Sequence, residues 1–276
     1  MESTKPKRVS RTVMMSIIIA VGAALFIAVG VFLVGYMRRV KYTAPLYPIL
    51  NITAKDPLND DKPIKDGAIL KKLVSTTGKY ELSLKGGDGI VYNNSPATQY
   101  NGFPTLSCNA STFVGPNGLG EKVGGTLTVF ILAKTPTNVA GQGSDIIAYS
   151  AYPPAAPQSR IAAYQYINRC CIDYGTTLDQ YFMATGLGPE HGVGFNVFCW
   201  RISSSYESFT FNDKVIATLK PSFQNINTKN YATEFFGATN FGDVCQLVVY
   251  DRVLDDLECT EVYKSLSSGW QKSLLP

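Results

Sequence analysis

Residues 241–258, FGDVCQLVVYDRVLDDLE, together with Ser268-Gly269-Trp270 a little further on, decide how this 276-residue chain is read. From Val244 to Tyr250 the residues are β-branched, aromatic or apolar apart from Gln246, with neither Pro nor Gly, which is the signature of a strand. After a short polar turn, Asp255 stands where a side chain can cap the free N–H groups of a helix, and Glu258 can reach back from the third position. The helix then runs to about Gln271. Its apolar side is Cys259, Val262, Tyr263, Leu266 and Trp270, spaced at helical intervals, so the chain closes by laying Leu266 and Trp270 on a sheet.

Upstream, short apolar runs alternate with turn residues. They are Ile69 to Val74, Tyr80 to Leu84, Leu127 to Ala133, Ile146 to Ser150, Arg160 to Ile167, Val193 to Ile202, Ser208 to Phe211 and Val215 to Leu219, with a Gly86-Gly87-Asp88-Gly89 turn among them. This spacing predicts a sandwich of antiparallel strands. The run TLTVFILAK over 126–134 reads as a central strand, because β-branched and aromatic residues occupy both of its faces. Phe209 to Ile216 reads as a hairpin turning on Asn212-Asp213, two residue types that tolerate left-handed geometry.

The closing segment resembles the C-terminal signature of concanavalin A-like lectin/glucanase domains of the laminin-G type: a Gly-Asp strand, a Tyr-Asp-Arg turn, a capped helix and a terminal Trp. TLTVFILAK resembles an early core strand of that family. FTFNDKVI resembles its strand-turn-strand, with Asn212-Asp213 in place of Asn-Gly. The resemblance spans roughly Gly67 to Trp270. It implies a mainly β, two-sheet antiparallel jelly roll with a C-terminal helix. It does not fix a function, since the family holds glycan binders, glycoside hydrolases and structural modules.

At the other end, the run from Val13 to Tyr36 carries no charge and is clamped by Lys5, Lys7, Arg8 and Arg11 before it and Arg38, Arg39 and Lys41 after it. As a helix it would be about 36 Å long, enough to cross a hydrocarbon core of about 30 Å. It is longer than the apolar core of a cleaved secretory signal and lacks a small-x-small cleavage site after it, so it predicts an uncleaved single-pass anchor, a signal-anchor. The basic residues favour the short tail on the cytoplasmic side by a single charge. Pro45, Pro48, Pro57 and Pro63 with the polar 59–62 cluster then suggest an extended stalk. The expected organisation is a basic tail over 1–12, a transmembrane helix over 13–36, a proline-containing stalk over 37–65 and a sandwich over 66–276.

The formal charge of +4 is owed to these membrane flanks, which leaves a slightly acidic domain without the basic stripe that nucleic-acid binding needs. Six cysteines, Cys108, Cys170, Cys171, Cys199, Cys245 and Cys259, show neither a CxxC nor a histidine at ligand spacing, which argues against zinc. Their even number permits disulfides in an oxidising space, and the pairing stays open. Asn51, Asn93 and Asn109 begin sequons that a secretory lumen could glycosylate.

Hydrolases of this fold place two carboxylates on one strand, about 5 Å apart, as acid and nucleophile. No strand here does so. Asp251, Asp255, Asp256, Glu258 and Glu261 fall on the turn and the helix, where capping and solvation account for them. His191, the only histidine, sits in a Gly-Pro-rich segment without a nucleophile elbow, and neither Gly118-Leu-Gly120 nor Gly141-Gln-Gly143 precedes a helix that could cradle phosphate. No catalytic, cofactor-binding or metal-ligating residue is therefore assigned. A glycan needs only an aromatic platform and a few amides, with Tyr92, Tyr100, Tyr152, Tyr164 and Tyr206 as candidates.

These readings lead to a non-enzymatic, membrane-anchored structural and interaction protein without cofactor. Anchored stand-alone domains of this kind resemble minor virion proteins of large eukaryotic double-stranded DNA viruses. That resemblance implies capsid or other virion proteins as partners beside a lipid bilayer, in a virion internal membrane. The alternative is a cell-surface or virion lectin-like module that binds glycans. Nucleic acid is not expected as a partner.

Overall fold

The computed structural model describes residues 22, 25–27, 29–30, 47–108, 110–115, 125–135, 144–150, 160–166, 169–175, 181–184, 194–222, 232–236 and 242–271. The chain divides into two compact units, Met1–Leu46 and Tyr47–Pro276. In the first, the six described residues are helical, and Leu25, Phe26, Ile27 and Val29 are exposed. Among the described residues no helix is long and apolar enough to cross a membrane, and most of the span expected over 13–36 lies outside them.

The second unit is mainly β, with two antiparallel sheets. One runs, in spatial order, β15 (Lys214–Leu219), β14 (Glu207–Phe211), β13 (Asn196–Ile202), β8 (Leu127–Lys134), β17 (Gly242–Tyr250), β6 (Thr105–Cys108), β5 (Ile90–Asn93) and β2 (Ile69–Leu70), with β1 (Leu50–Thr53) also paired to β17. The other runs β12 (Tyr181–Ala184), β11 (Arg169–Gly175), β10 (Arg160–Tyr166), β9 (Ser144–Ser150), β16 (Ala232–Phe235), β7 (Thr112–Val114), β4 (Glu81–Gly86) and β3 (Lys72–Val74). The sheets meet where β11 approaches β13 and β12 approaches β15.

Register explains why the central strands are apolar on both faces. Phe130 lies between Cys199 and Val248, and Thr128 between Arg201 and Tyr250, so these side chains share one face. Val129 lies between Trp200 and Val249, and Ile131 between Phe198 and Leu247, on the other. On that second face the Trp200 ring packs 5.3 Å from Phe209 and 6.0 Å from Phe198. The first face is covered by α1 (Asp256–Gly269). Leu254 and Trp270, both buried, bracket α1 against it, together with Cys259, Val262 and Leu266 from its inner stripe. Burial of each such large apolar side chain contributes about 1.5–3 kcal/mol, which makes this face a second core beneath the helix.

The turn before α1 is tied down by one hydroxyl. Thr128 Oγ1 donates to the Arg252 carbonyl at 2.7 Å and accepts from the Leu254 N–H at 2.9 Å. Asp255 then caps α1, accepting from the N–H groups of Leu257 and Glu258, while the Glu258 carboxylate accepts from the Asp255 N–H at 2.9 Å. This is the reciprocal box that the sequence predicts. The Asn212-Asp213 hairpin is also as expected, with φ of 47° and 63° and Phe211 paired to Lys214. Both angles positive is the mirror-image turn that matches strand twist.

Residues 47–65 are not the expected extended stalk. β1 pairs with β17 in register Leu50↔Val249 to Thr53↔Gln246, and Leu50, Ile52 and Ala54 are fully buried. Further on, the Pro57 carbonyl accepts from the Val74 N–H of β3, so this segment bonds to both sheets. The prolines flank the four-residue LNIT strand without entering it, which leaves its donors free for the ladder. The sandwich therefore starts at about Tyr47 rather than Asp66.

Candidate functional site

The acidic cluster at the start of α1 is engaged in holding the fold. Arg252 donates from both terminal nitrogens to the Glu258 carboxylate, at 2.7 and 2.9 Å, a bidentate pair. Arg201, only 4% exposed, donates to Ser208 Oγ, to the Leu254 carbonyl and to the Asp256 carboxylate. Glu261 pairs on the surface with Lys264. Arg201→Ala strands the Ser208 hydroxyl and the Leu254 carbonyl in the interior. We expect it to cost about 2–4 kcal/mol in urea unfolding. The Asp256 side chain is mostly in water, so Asp256→Ala should stay within about 1 kcal/mol. Equal effects would show that the ion pair, rather than the buried bonds of Arg201, carries the interaction.

The tyrosines singled out from the sequence separate sharply. Tyr92 is 5% exposed on β5, so it is core and not a platform. Tyr206 lies in a turn and is half-buried, with the Arg201 guanidinium 5.0 Å from its ring centre. Tyr164 occupies β10 opposite Cys171, and Tyr152 and His191 lie outside the described residues, as do both Gly-x-Gly segments. Tyr100 is the one whose surroundings suit a ligand.

Tyr100 and Phe103 face each other across a two-residue turn, exchanging both backbone hydrogen bonds at 2.9 Å. The turn residues, Asn101 and Gly102, have φ of 50° and 77°, which explains the Asn-Gly pair at this tip. The Tyr100 ring stacks on Phe195, with centroids 4.3 Å apart, and both rings are half-buried. Partial burial, the main cause, holds the Tyr100 phenol above its ordinary pKa. On the other side of the tip, Phe103 meets Trp270 edge-on at 5.6 Å, and the Lys55 ammonium lies 3.8 Å from the centre of the Phe103 ring. Lys55 also donates to the Gly269 carbonyl, and Asn101 Nδ2 donates to the Trp270 carbonyl at 2.8 Å.

Beside the tip runs a polar rim. Asp66 Oδ1 accepts from the Asn94 N–H, Gln99 Nε2 donates to the Asn94 carbonyl and side chain, and the Ser95 and Thr98 hydroxyls share a bond of 2.8 Å. Asn94, Thr98 and Asn101 are exposed. The arrangement places a stacked ring pair beside the amides and hydroxyls of the segment between β5 and β6. Two of the sequon asparagines are committed within the fold: Asn51 sits in β1 and accepts from Gln246 Nε2, and Asn93 Nδ2 donates to Ser107. Asn109 lies outside the described residues. Among the described residues no group of His, Cys, Asp or Glu is placed to hold a metal.

Fold and rim together describe a two-sheet antiparallel β-sandwich that carries an aromatic turn beside surface amides and hydroxyls. No protein-family model matches the chain, and no curated protein matches it. Among solved structures it is similar to the binding domain of Paraclostridial Mosquitocidal Protein 1, with a TM-score of 0.54 and 10% identity over 79% of this chain and 52% of that one. The binding domain of botulinum neurotoxin serotype G gives a TM-score of 0.55 at 12% identity, over 80% of this chain and 52% of that one. The chain thus spans about half the length of these two. Domain 4 of the extracellular arabinanase AbnA from Geobacillus stearothermophilus, solved in complex with arabinotriose, matches at a TM-score of 0.54 and 11% identity, over 78% of this chain and 98% of that one.

Proposed function

We propose that residues 47–276 form a glycan-binding, lectin-like domain, held at a membrane by the apolar run over 13–36. The observation that carries the reading is the half-buried, stacked Tyr100–Phe195 pair, with Tyr100 leading into an Asn-Gly turn beside the exposed Asn94 and Asn101. The C–H face of a sugar ring stacks on such aromatics, while its hydroxyls exchange bonds with amides such as those of Asn94, Gln99 and Asn101. The likeness in fold to an arabinanase domain solved with arabinotriose supports the same reading. The reading assigns no catalytic role to Asp255 and Glu258, which are engaged in capping α1 and in the Arg252 ion pair.

The test is a glycan array probed with the full chain in detergent. We expect saccharide binding that Tyr100→Ala weakens at least about tenfold with little change in melting temperature, because the ring is only half-buried. Binding that survives Tyr100→Ala would move the site elsewhere on the domain. No binding to any glycan, with ordered protein neighbours in a particle, would instead favour a structural virion component, which rests on the sequence resemblance alone.

A further inference from the structure

Two buried thiols face each other between the sheet and the helix that covers it. Cys199 lies on β13 on the same face as Arg201, two residues away. Cys259 lies on α1, one turn beyond Asp256 and on its inner side. The Arg201–Asp256 contact therefore fixes the register of helix against strand, and that register brings the next pair along, Cys199 and Cys259, opposite each other. The Cα atoms of α1 and β13 approach within 8 Å, and the Cys259 thiol lies near enough to Cys199 to act on its ionisation. Cys108, Cys171 and Cys245 are also buried, on β6, β11 and β17.

We infer that Cys199 and Cys259 form a latent disulfide that, once closed, clamps the first turn of α1 to the centre of the sheet. The thiols are free in this structure. Closure by a low-molecular-weight disulfide such as oxidised glutathione proceeds in two exchanges. The Cys259 thiolate attacks one sulfur of the oxidant to give a mixed disulfide and one released thiolate. The Cys199 thiolate then attacks the Cys259 sulfur and expels the second. Two protons pass to solvent, the cysteines lose two electrons, and the oxidant gains two. Burial raises the Cys199 thiol well above its ordinary range and shields both sulfurs, so exchange waits on opening of α1. The bond therefore closes while the domain folds in an oxidising space. In a reducing one the pair stays open, and its state records which side of the membrane the domain folded on.

The full chain in detergent is refolded with oxidised and reduced glutathione, then alkylated and mapped by mass spectrometry. A cross-linked peptide containing Cys199 and Cys259 is expected, with Cys108, Cys171 and Cys245 alkylated. Once formed, the bond should slow proteolytic release of α1 at least about tenfold, an effect reversed by reductant and absent in Cys259→Ser. Circular dichroism of the reduced protein and of Cys259→Ser checks that both are folded. Free thiols at 199 and 259 after oxidative refolding of a folded protein, or a bond from either cysteine to another, would overturn the inference.

Discussion

A chain cut to begin at Asp66 is expected to lose its cooperative unfolding transition, whereas one beginning at Tyr47 keeps it. The shorter chain lacks Leu50, Ile52 and Ala54, all fully buried, and the four-residue ladder of β1 on β17. Loss of a buried Leu or Ile costs about 2–5 kcal/mol each, and exposing the ladder adds to it. The sum is comparable with the whole stability of a domain, about 5–15 kcal/mol. The cut also removes the Asn51 carbonyl, which holds the Thr76 N–H, and the Pro57 carbonyl, which holds Val74. Thermal melts of the two chains followed by circular dichroism decide the matter. Equal midpoints would show that residues 47–65 add nothing to the core.

Trp270→Ala should cost about 3–5 kcal/mol, the range for a large aromatic lost from a core. The indole is 1% exposed. It packs edge-on to Phe103, donates from Nε1 to Gln246 at 2.8 Å, and has the Lys55 ammonium 4.7 Å from its ring. Trp270→Phe separates these contributions, since it keeps most of the apolar contact and leaves the Gln246 carbonyl without that donor. It should cost about 1–2 kcal/mol. Guanidinium unfolding of the three proteins gives the comparison. A Trp270→Ala midpoint within error of the parent would mean that α1 does not depend on its last turn.

What the sequence disclosed was mostly local. The capping box at Asp255 and Glu258, the Asn212-Asp213 hairpin and the strands around Phe130, Trp200 and Val248 each carry their signal within a few neighbouring residues. β1 escaped notice because prolines on both sides gave its surroundings the composition of a linker, while its partner lies at the far end of the chain. β5 and β6 are four residues each and carry Asn, Thr and Ser, too short and too polar for their alternation to stand out. β7 and β16 are three and four residues long, and β11 opens on Arg169 and contains Asp173, so neither length nor apolar content marked them. The candidate site was half legible. Asn101-Gly102 is a turn signal in the sequence, but the ring that Tyr100 stacks on, Phe195, comes from a distant segment that no local pattern connects to it.

The pairing of β1 with β17 also sets an order of events during synthesis. β1 leaves the ribosome among the first parts of the domain, yet the strand that accepts its hydrogen bonds, and the helix end that seals beside it, are nearly the last. At translation rates of about 5–20 residues per second, β1 waits on the order of ten to forty seconds for its template. Throughout that interval Leu50 and Ile52 are exposed on an unpaired strand, open to chaperones and to neighbouring nascent chains. A polysome crowded with such chains is thus where this protein is most prone to pair with the wrong copy of itself.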